Sequence, residues 1–242
     1  MDIIINGDDF GMRPAINQAV FEAHQAGRLN STSLLVDGAA VDEAVALAQQ
    51  CPQLGIGLHL NLDPYLGYDV DGYYGRTLSN VNPSRLQEAI ENLDALEREI
   101  ERQFERFFAF GLSMSHVDSH HNPHLLPEIF AAVVRVAGRY NVRAMRFYPS
   151  FYEHDTALYH RHTHILAENH FRVVDHFRDF SDPQSVTYFN EGVTELMVHL
   201  DKPGWGGEVW CEAQFERLMS PAVGEQLARQ QAQIVSYHAL RT

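Results

Sequence analysis

Four imidazoles and a carboxylate fall within nine residues, His116-Val117-Asp118-Ser119-His120-His121-Asn122-Pro123-His124. Neutral imidazole and carboxylate are the usual ligands of zinc and other borderline divalent ions, and both act as acids or bases in water. A solitary histidine in an apolar segment is most often a hydrogen-bonded core residue. Four beside an aspartate point instead to a metal site or an acid/base centre.

Other titratable residues stand at the ends of apolar runs. Asp2-Ile3-Ile4-Ile5-Asn6 reads as a buried parallel strand, and it ends in Gly7-Asp8-Asp9-Phe10-Gly11. His59 lies near the end of a second such run, residues 54–62, and His199 near the end of a third, residues 193–200. In parallel α/β proteins, ligands and catalysis gather at the carboxyl ends of strands, because helices cover the faces of the sheet. Asp8, Asp9, His59, the cluster from His116 and His199 are therefore expected to share one basin.

The elements that must position these residues alternate. Residues 112–114 predict a short strand running into the histidine cluster, and residues 31–36, 142–147, 171–176 and 234–237 predict others. Apolar positions at three- and four-residue steps predict helices over 13–26, 41–50, 127–139 and 221–231. The longest opens at Pro83 and carries Leu86, Ile90, Leu93, Ile100, Phe104 and Phe107 on one stripe as far as Gly111. His160, His162 and His164 suit the solvated face of a further helix better than a second metal site. Such an order implies an α/β fold with right-handed crossovers and a parallel sheet, open or closed into a barrel.

At 242 residues the chain can bury a large core, and no linker, repeat or low-complexity tract divides it, so one domain over 1–242 is expected. A formal net charge of −14 argues against a nucleic-acid partner. Two cysteines, Cys51 and Cys211, exclude a disulfide scaffold and a four-cysteine zinc site. With no basic-then-apolar leader and no bilayer-length run, the expectation is a cytoplasmic protein without a membrane partner.

Asn6-Gly7-Asp8-Asp9-Phe10-Gly11, Gly57-Leu58-His59-Leu60 and His116-Val117-Asp118-Ser119-His120-His121 resemble, in order and spacing, the three signatures of the YdjC-like carbohydrate deacetylases. That family includes chitooligosaccharide deacetylases. The resemblance implies a TIM-like irregular (β/α) barrel, one divalent metal ion, magnesium or zinc, and removal of acetyl groups from N-acetylated sugars. It places the metal ligands at Asp9, His59 and His120 and the catalytic base at Asp8, and it is compatible with a homodimer. Two neighbouring carboxylates do not both stay ionised cheaply unless a cation neutralises one, which suits that division. His199 either protonates the departing amine or is a packed strand-end residue. The chain departs from the family at Asn122, where a third consecutive imidazole is common, and at Leu200, where proline is common.

Further candidates follow from position. Arg146 either pairs with Asp8 and keeps it ionised or forms a surface ion pair. Asp118 and His116 are candidates to orient ligands from behind. Tyr65, in the Tyr- and Gly-rich residues 63–75, and Trp205 offer flat faces for a sugar, although loop packing explains them equally well. Three other readings compete: a metal phosphoesterase, an iron oxygenase built on two His and one carboxylate, and a non-catalytic sugar-binding barrel.

Overall fold

A computed structural model describes residues 1–66 and 82–240; of the Tyr- and Gly-rich segment, residues 67–75 lie outside the described residues. The chain alternates β1 (Asp2–Phe10), α1 (Pro14–Gln25), β2 (Ser31–Leu34), α2 (Val41–Gln49), β3 (Gly55–Leu60), α3 (Asp63–Leu66), α4 (Pro83–Glu91) and α5 (Leu93–Ala109). It continues through β4 (Met114–Ser119), α6 (Pro127–Arg139), α7 (Thr156–Glu168), β5 (His176–Asp179), β6 (Val193–Val198), α8 (Val209–Met219), α9 (Pro221–Arg229) and β7 (Gln233–Val235).

The strands pair in parallel in the order β4-β3-β2-β1-β6-β5. β7 pairs with Asp2–Ile4 at the start of β1, while β2 pairs with its second half, from Asn6. Two isolated parallel bridges, Val117 to Met145 and Ala144 to Arg172, carry the hydrogen bonding onward from β4. Asp175 N–H then donates to Val193 O at 2.9 Å, beside the β5–β6 ladder. The ladder thus returns to β1 and forms an irregular ring whose strands all run the same way. Buried on both faces, β1 needs Ile3, Ile4 and Ile5, each 0% exposed.

The outer layer is helical. α5 buries Leu96, Ile100, Phe104 and Phe107, and α6 buries Ile129, Phe130, Val133 and Val136, the three- and four-residue steps of a core-facing stripe. Each of the two buried α5 phenylalanines is worth roughly 1.5–3 kcal/mol in removed apolar surface.

Several elements differ from the sequence reading. The long helix from Pro83 breaks at Asn92 (φ −123°, ψ 54°), which ends α4 and caps α5. The apolar stripe continues across the break, so periodicity does not register it. Residues 142–147 make single bridges instead of a regular strand, and Pro149, with no N–H to donate, follows after Tyr148. The strand placed at 171–176 has its regular part at β5, whose sequence His-Phe-Arg-Asp lacks an apolar alternation. The strand placed at 112–114 begins at Met114 and runs through the histidine cluster to Ser119. Within α7, His160 and His164 are exposed as expected but His162 is core: 1% exposed, its ring stacked on Phe130 (centroids 3.8 Å, 5°) and Nδ1 2.9 Å from the Tyr152 hydroxyl. Burial pushes its pKa down to about 4. No metal-competent trio of these three histidines forms.

Candidate active site

Asp8 and Asp9 are adjacent, and in a regular strand they would face opposite sides of the sheet. Asp9 instead adopts a left-handed conformation (φ 65°), and the pairing with β2 slips register between Gly7 and Phe10. Both carboxylates thereby turn to the interior. A non-glycine residue held there costs about 1–3 kcal/mol and persists where the surroundings over-determine it.

Asp9 Oδ1 lies 2.8 Å from His120 Nδ1 and 3.2 Å from His59 Nε2. It is buried, yet makes no directed hydrogen bond. The three donor atoms lie within 4.8 Å of one another. Their lone pairs converge without satisfying each other, which is the arrangement a cation resolves. Behind His59, Nδ1 is 2.7 Å from Asp118 Oδ1 and 3.1 Å from Ser33 Oγ, and Ser33 also donates to Asp118 Oδ2 at 2.9 Å. A proton held on Nδ1 by Asp118 leaves Nε2 with its lone pair facing Asp9 Oδ1, 3.2 Å away, where it can bind a cation.

The electrostatics point the same way. Asp8, Asp9, Asp118 and Glu195 are at most 4% exposed, and one buried guanidinium, Arg146, stands among them. Burial opposes charge on Asp9, but His120 and His59 outweigh it and hold its carboxyl well below the usual range. Burial likewise opposes charge on His59, and Asp118 and Asp9 outweigh it and raise its pKa well above the ordinary value. In the metal-free site the imidazoles of His59 and His120 join the Arg146 guanidinium in opposing these carboxylates, and a divalent ion bound at Asp9 would take the place of the imidazole protons. One carboxylate and two imidazoles fit such an ion, and three donors leave room for water and a substrate oxygen.

Arg146 is fully buried. Nη2 donates to Asp8 Oδ1 at 2.7 Å and Nη1 to Asp8 Oδ2 at 2.8 Å, while Nε donates to Glu195 Oε1 at 2.9 Å. Nη2 also lies 3.0 Å from Asp118 Oδ2. Asn6 Nδ2 adds a hydrogen bond to Asp8 Oδ1 at 2.9 Å. His199 Nε2 stands 3.9 Å from Asp8 Oδ2, the imidazole 18% exposed and its ring 5.2 Å from that of Trp210. Gln214 Oε1 accepts from His199 N–H at 3.0 Å and fixes the strand end.

The histidine cluster divides. Of its four imidazoles, His120 joins Asp9 and His59. His121, left-handed at φ 61°, turns its Nδ1 to within 3.2 Å of Asp63 Oδ1. Nε2 of His124 donates to the Arg146 carbonyl at 3.0 Å, and burial pushes its pKa down to about 4. His116 stacks on Tyr237, and burial pushes its pKa down to about 3. Tyr65 on α3 is 37% exposed and lines a pocket with Pro64, Arg85 and Glu88. Trp205, 56% exposed, sits between Gly204 and Gly206, both at positive φ.

The family model described as YdjC-like protein matches residues 2–229. This chain belongs to the YdjC-like family. It is 29% identical to a carbohydrate deacetylase of Geobacillus stearothermophilus over 97% of this chain and 96% of that one. It is 36% identical to a chitooligosaccharide deacetylase of Enterobacter, with 60% of this chain matched to 58% of the relative's length. A solved Enterococcus faecalis structure, described as a candidate cellobiose-phosphate cleavage protein, superposes with a TM-score of 0.71 at 23% identity over 100% of this chain and 99% of that one. That last likeness is one of fold.

In this YdjC-like chain, sequence reasoning passed over Glu195, Tyr237, Trp210 and Asp63 as members of the basin and its surroundings. Glu195 carries a usable signal, as the charged residue inside an otherwise apolar strand. Tyr237 and Trp210 carry none, since their placement depends on how distant segments pack.

Proposed function

We propose that this YdjC-like protein is a metal-dependent hydrolase that removes acetyl groups from N-acetylated sugars or oligosaccharides. The observation that carries this reading is the convergence of Asp9, His59 and His120 beside an Asp8 clamped by Arg146. The named activities of the Geobacillus and Enterobacter relatives support it.

Asp9 Oδ1, His59 Nε2 and His120 Nδ1 would hold one divalent ion, zinc being apt for these donors and magnesium also compatible. Bound there, the ion would acidify a water and polarise the acetyl carbonyl. Asp8 takes the proton of the attacking water, because Arg146 and Asn6 fix the orientation of its carboxylate beside the metal ligands. His199, with Nε2 3.9 Å from Asp8 Oδ2, delivers a proton to the leaving amine nitrogen, with Trp210 packed beside its ring. Asp118 keeps His59 in the tautomer that presents Nε2. Trp205 and Tyr65 supply flat faces for sugar rings at the rim. Residues 1–242 act as one deacetylase unit in this reading. A phosphoesterase would need a free cation to clamp phosphate, whereas Arg146 is engaged by Asp8, Glu195 and Asp118.

The test is incubation of zinc- or magnesium-loaded protein with N-acetylglucosamine and its short oligomers. Acetate and free amine should appear in equal amounts. Release of neither from any N-acetylated sugar offered would overturn the proposal.

A further inference from the structure

Arg146 has a second carboxylate partner that no step of the hydrolysis uses. Glu195 Oε1 accepts from Nε at 2.9 Å, on the edge of the guanidinium next to the one that grips Asp8. Occupying both edges leaves the planar group one orientation. Glu195 is itself held, because Oε2 accepts a hydrogen bond from the Tyr237 hydroxyl. The Tyr237 ring lies flat on His116 (centroids 3.8 Å, 10°), and Ser115 Oγ anchors His116 Nδ1 at 2.8 Å. Gly57 makes room for that imidazole: a Cβ there would meet His116 Cε1 at 2.3 Å. Tyr237 also lies beyond residues 2–229, the stretch matched by the family model.

Stability alone does not account for this chain of contacts. Burial opposes the charge on Glu195, and Asp8 adds to that opposition; the Arg146 guanidinium and the Tyr237 hydroxyl counter it, yet the Glu195 pKa stays above the ordinary value. A buried carboxylate added to a guanidinium already paired with Asp8 and Asp118 is weak evidence for stabilisation, and apolar side chains of like volume often serve as well. What Glu195 does supply is direction.

We infer that Tyr237 and Glu195 are positioning residues for the proposed deacetylation: they lock the Arg146 guanidinium at its Nε edge, and through it the Asp8 carboxylate. The inference rests on the function proposed above. Glu195→Gln keeps an acceptor for Nε but removes the charge. Tyr237→Phe keeps the stack on His116 but removes the hydroxyl. Each is expected to lower kcat roughly 10- to 100-fold, the range seen when a partner behind a functional side chain is lost. KM and bound metal should stay near wild type.

The decisive comparison places both changes in an Asp8→Asn background, where a residue acting only through Asp8 has nothing further to lose. No additional fall in kcat is expected there. A second readout needs no turnover: the side-chain NMR signals of Arg146, assigned from Arg146→Lys, should be sharp and exchange-protected in the wild type and broadened in Glu195→Gln. The same fold-loss in the Asp8→Asn background, or unchanged Arg146 signals, would overturn the inference. If the wild type releases no acetate from any N-acetylated sugar, the functional reading fails by itself, and the Arg146 signals still decide whether Glu195 and Tyr237 lock the guanidinium.

Discussion

Arg146 grips both carboxylate oxygens of Asp8 at 2.7 and 2.8 Å across 138 positions of sequence, with no solvent on the guanidinium. A pair so placed does more than neutralise charge. It fixes the plane of one carboxylate beside the point where Asp9, His59 and His120 meet.

Arg146→Met removes the one buried guanidinium among Asp8, Asp118 and Glu195 and should destabilise the fold by roughly 3–5 kcal/mol. Arg146→Lys keeps a charge but not the fork that reaches two oxygens at once. Urea denaturation should show the lysine variant closer to wild type in stability, while acetate release falls in both. Equal stability of the methionine variant and wild type would contradict the buried-charge argument.

Asp8 and Asp118 should separate by phenotype. Asp8→Asn is expected to leave metal content near wild type and to lower turnover by roughly 10²- to 10⁴-fold. Asp118→Asn, which frees His59 Nδ1 from its carboxylate, should weaken metal affinity roughly 10- to 100-fold. Equilibrium dialysis against zinc distinguishes them, and the reverse pattern would mean the two roles are exchanged.

Much of the basin was legible because its residues close apolar strands. Asp8, Asp9 and His59 stand in or at the end of isoleucine- and leucine-rich runs whose direction is unambiguous, so their shared basin follows from parallel topology. Which of the crowded imidazoles faces the basin was not legible from spacing, since the left-handed turn at His121 and Asn122 (φ 61° and 60°) sends His121 to Asp63 and His124 to the Arg146 carbonyl. The Asn92 break and the single bridges at 144–145 were likewise hidden, one by a continuous stripe and the other by an ordinary apolar strand pattern. Arg146 read equally well as a surface ion pair, because burial of a charge depends on partners gathered from three strands, β1, β4 and β6.

His199 should matter according to the leaving group. Replacing it by Gln is expected to depress hydrolysis of an N-acetylated sugar far more than that of an activated acetyl ester, whose leaving group departs with little protonation. Equal loss on both substrates would assign His199 to structure or to the acetyl oxygen.

His162 supplies a pH effect remote from the basin. Its pKa is about 4 in the fold, against roughly 6.5 in an unfolded chain. The unfolded state therefore binds the proton first as pH falls, and stability is lost between about pH 6.5 and 4, by up to about 1.4 kcal/mol per pH unit. His162→Phe retains the stack on Phe130 and removes the titration. Urea denaturation at several values from pH 7 to 4 should show a shallower decline in the variant, and parallel declines would contradict the assignment.

The most direct measurement is zinc stoichiometry together with acetate release in chelator-treated wild type and in Asp9→Asn. Stripped wild type should release no acetate, take up one zinc per chain and regain activity, while Asp9→Asn should neither hold zinc nor release acetate. Full acetate release from stripped protein, or zinc bound by Asp9→Asn as tightly as by wild type, would contradict a metal centre at Asp9, His59 and His120.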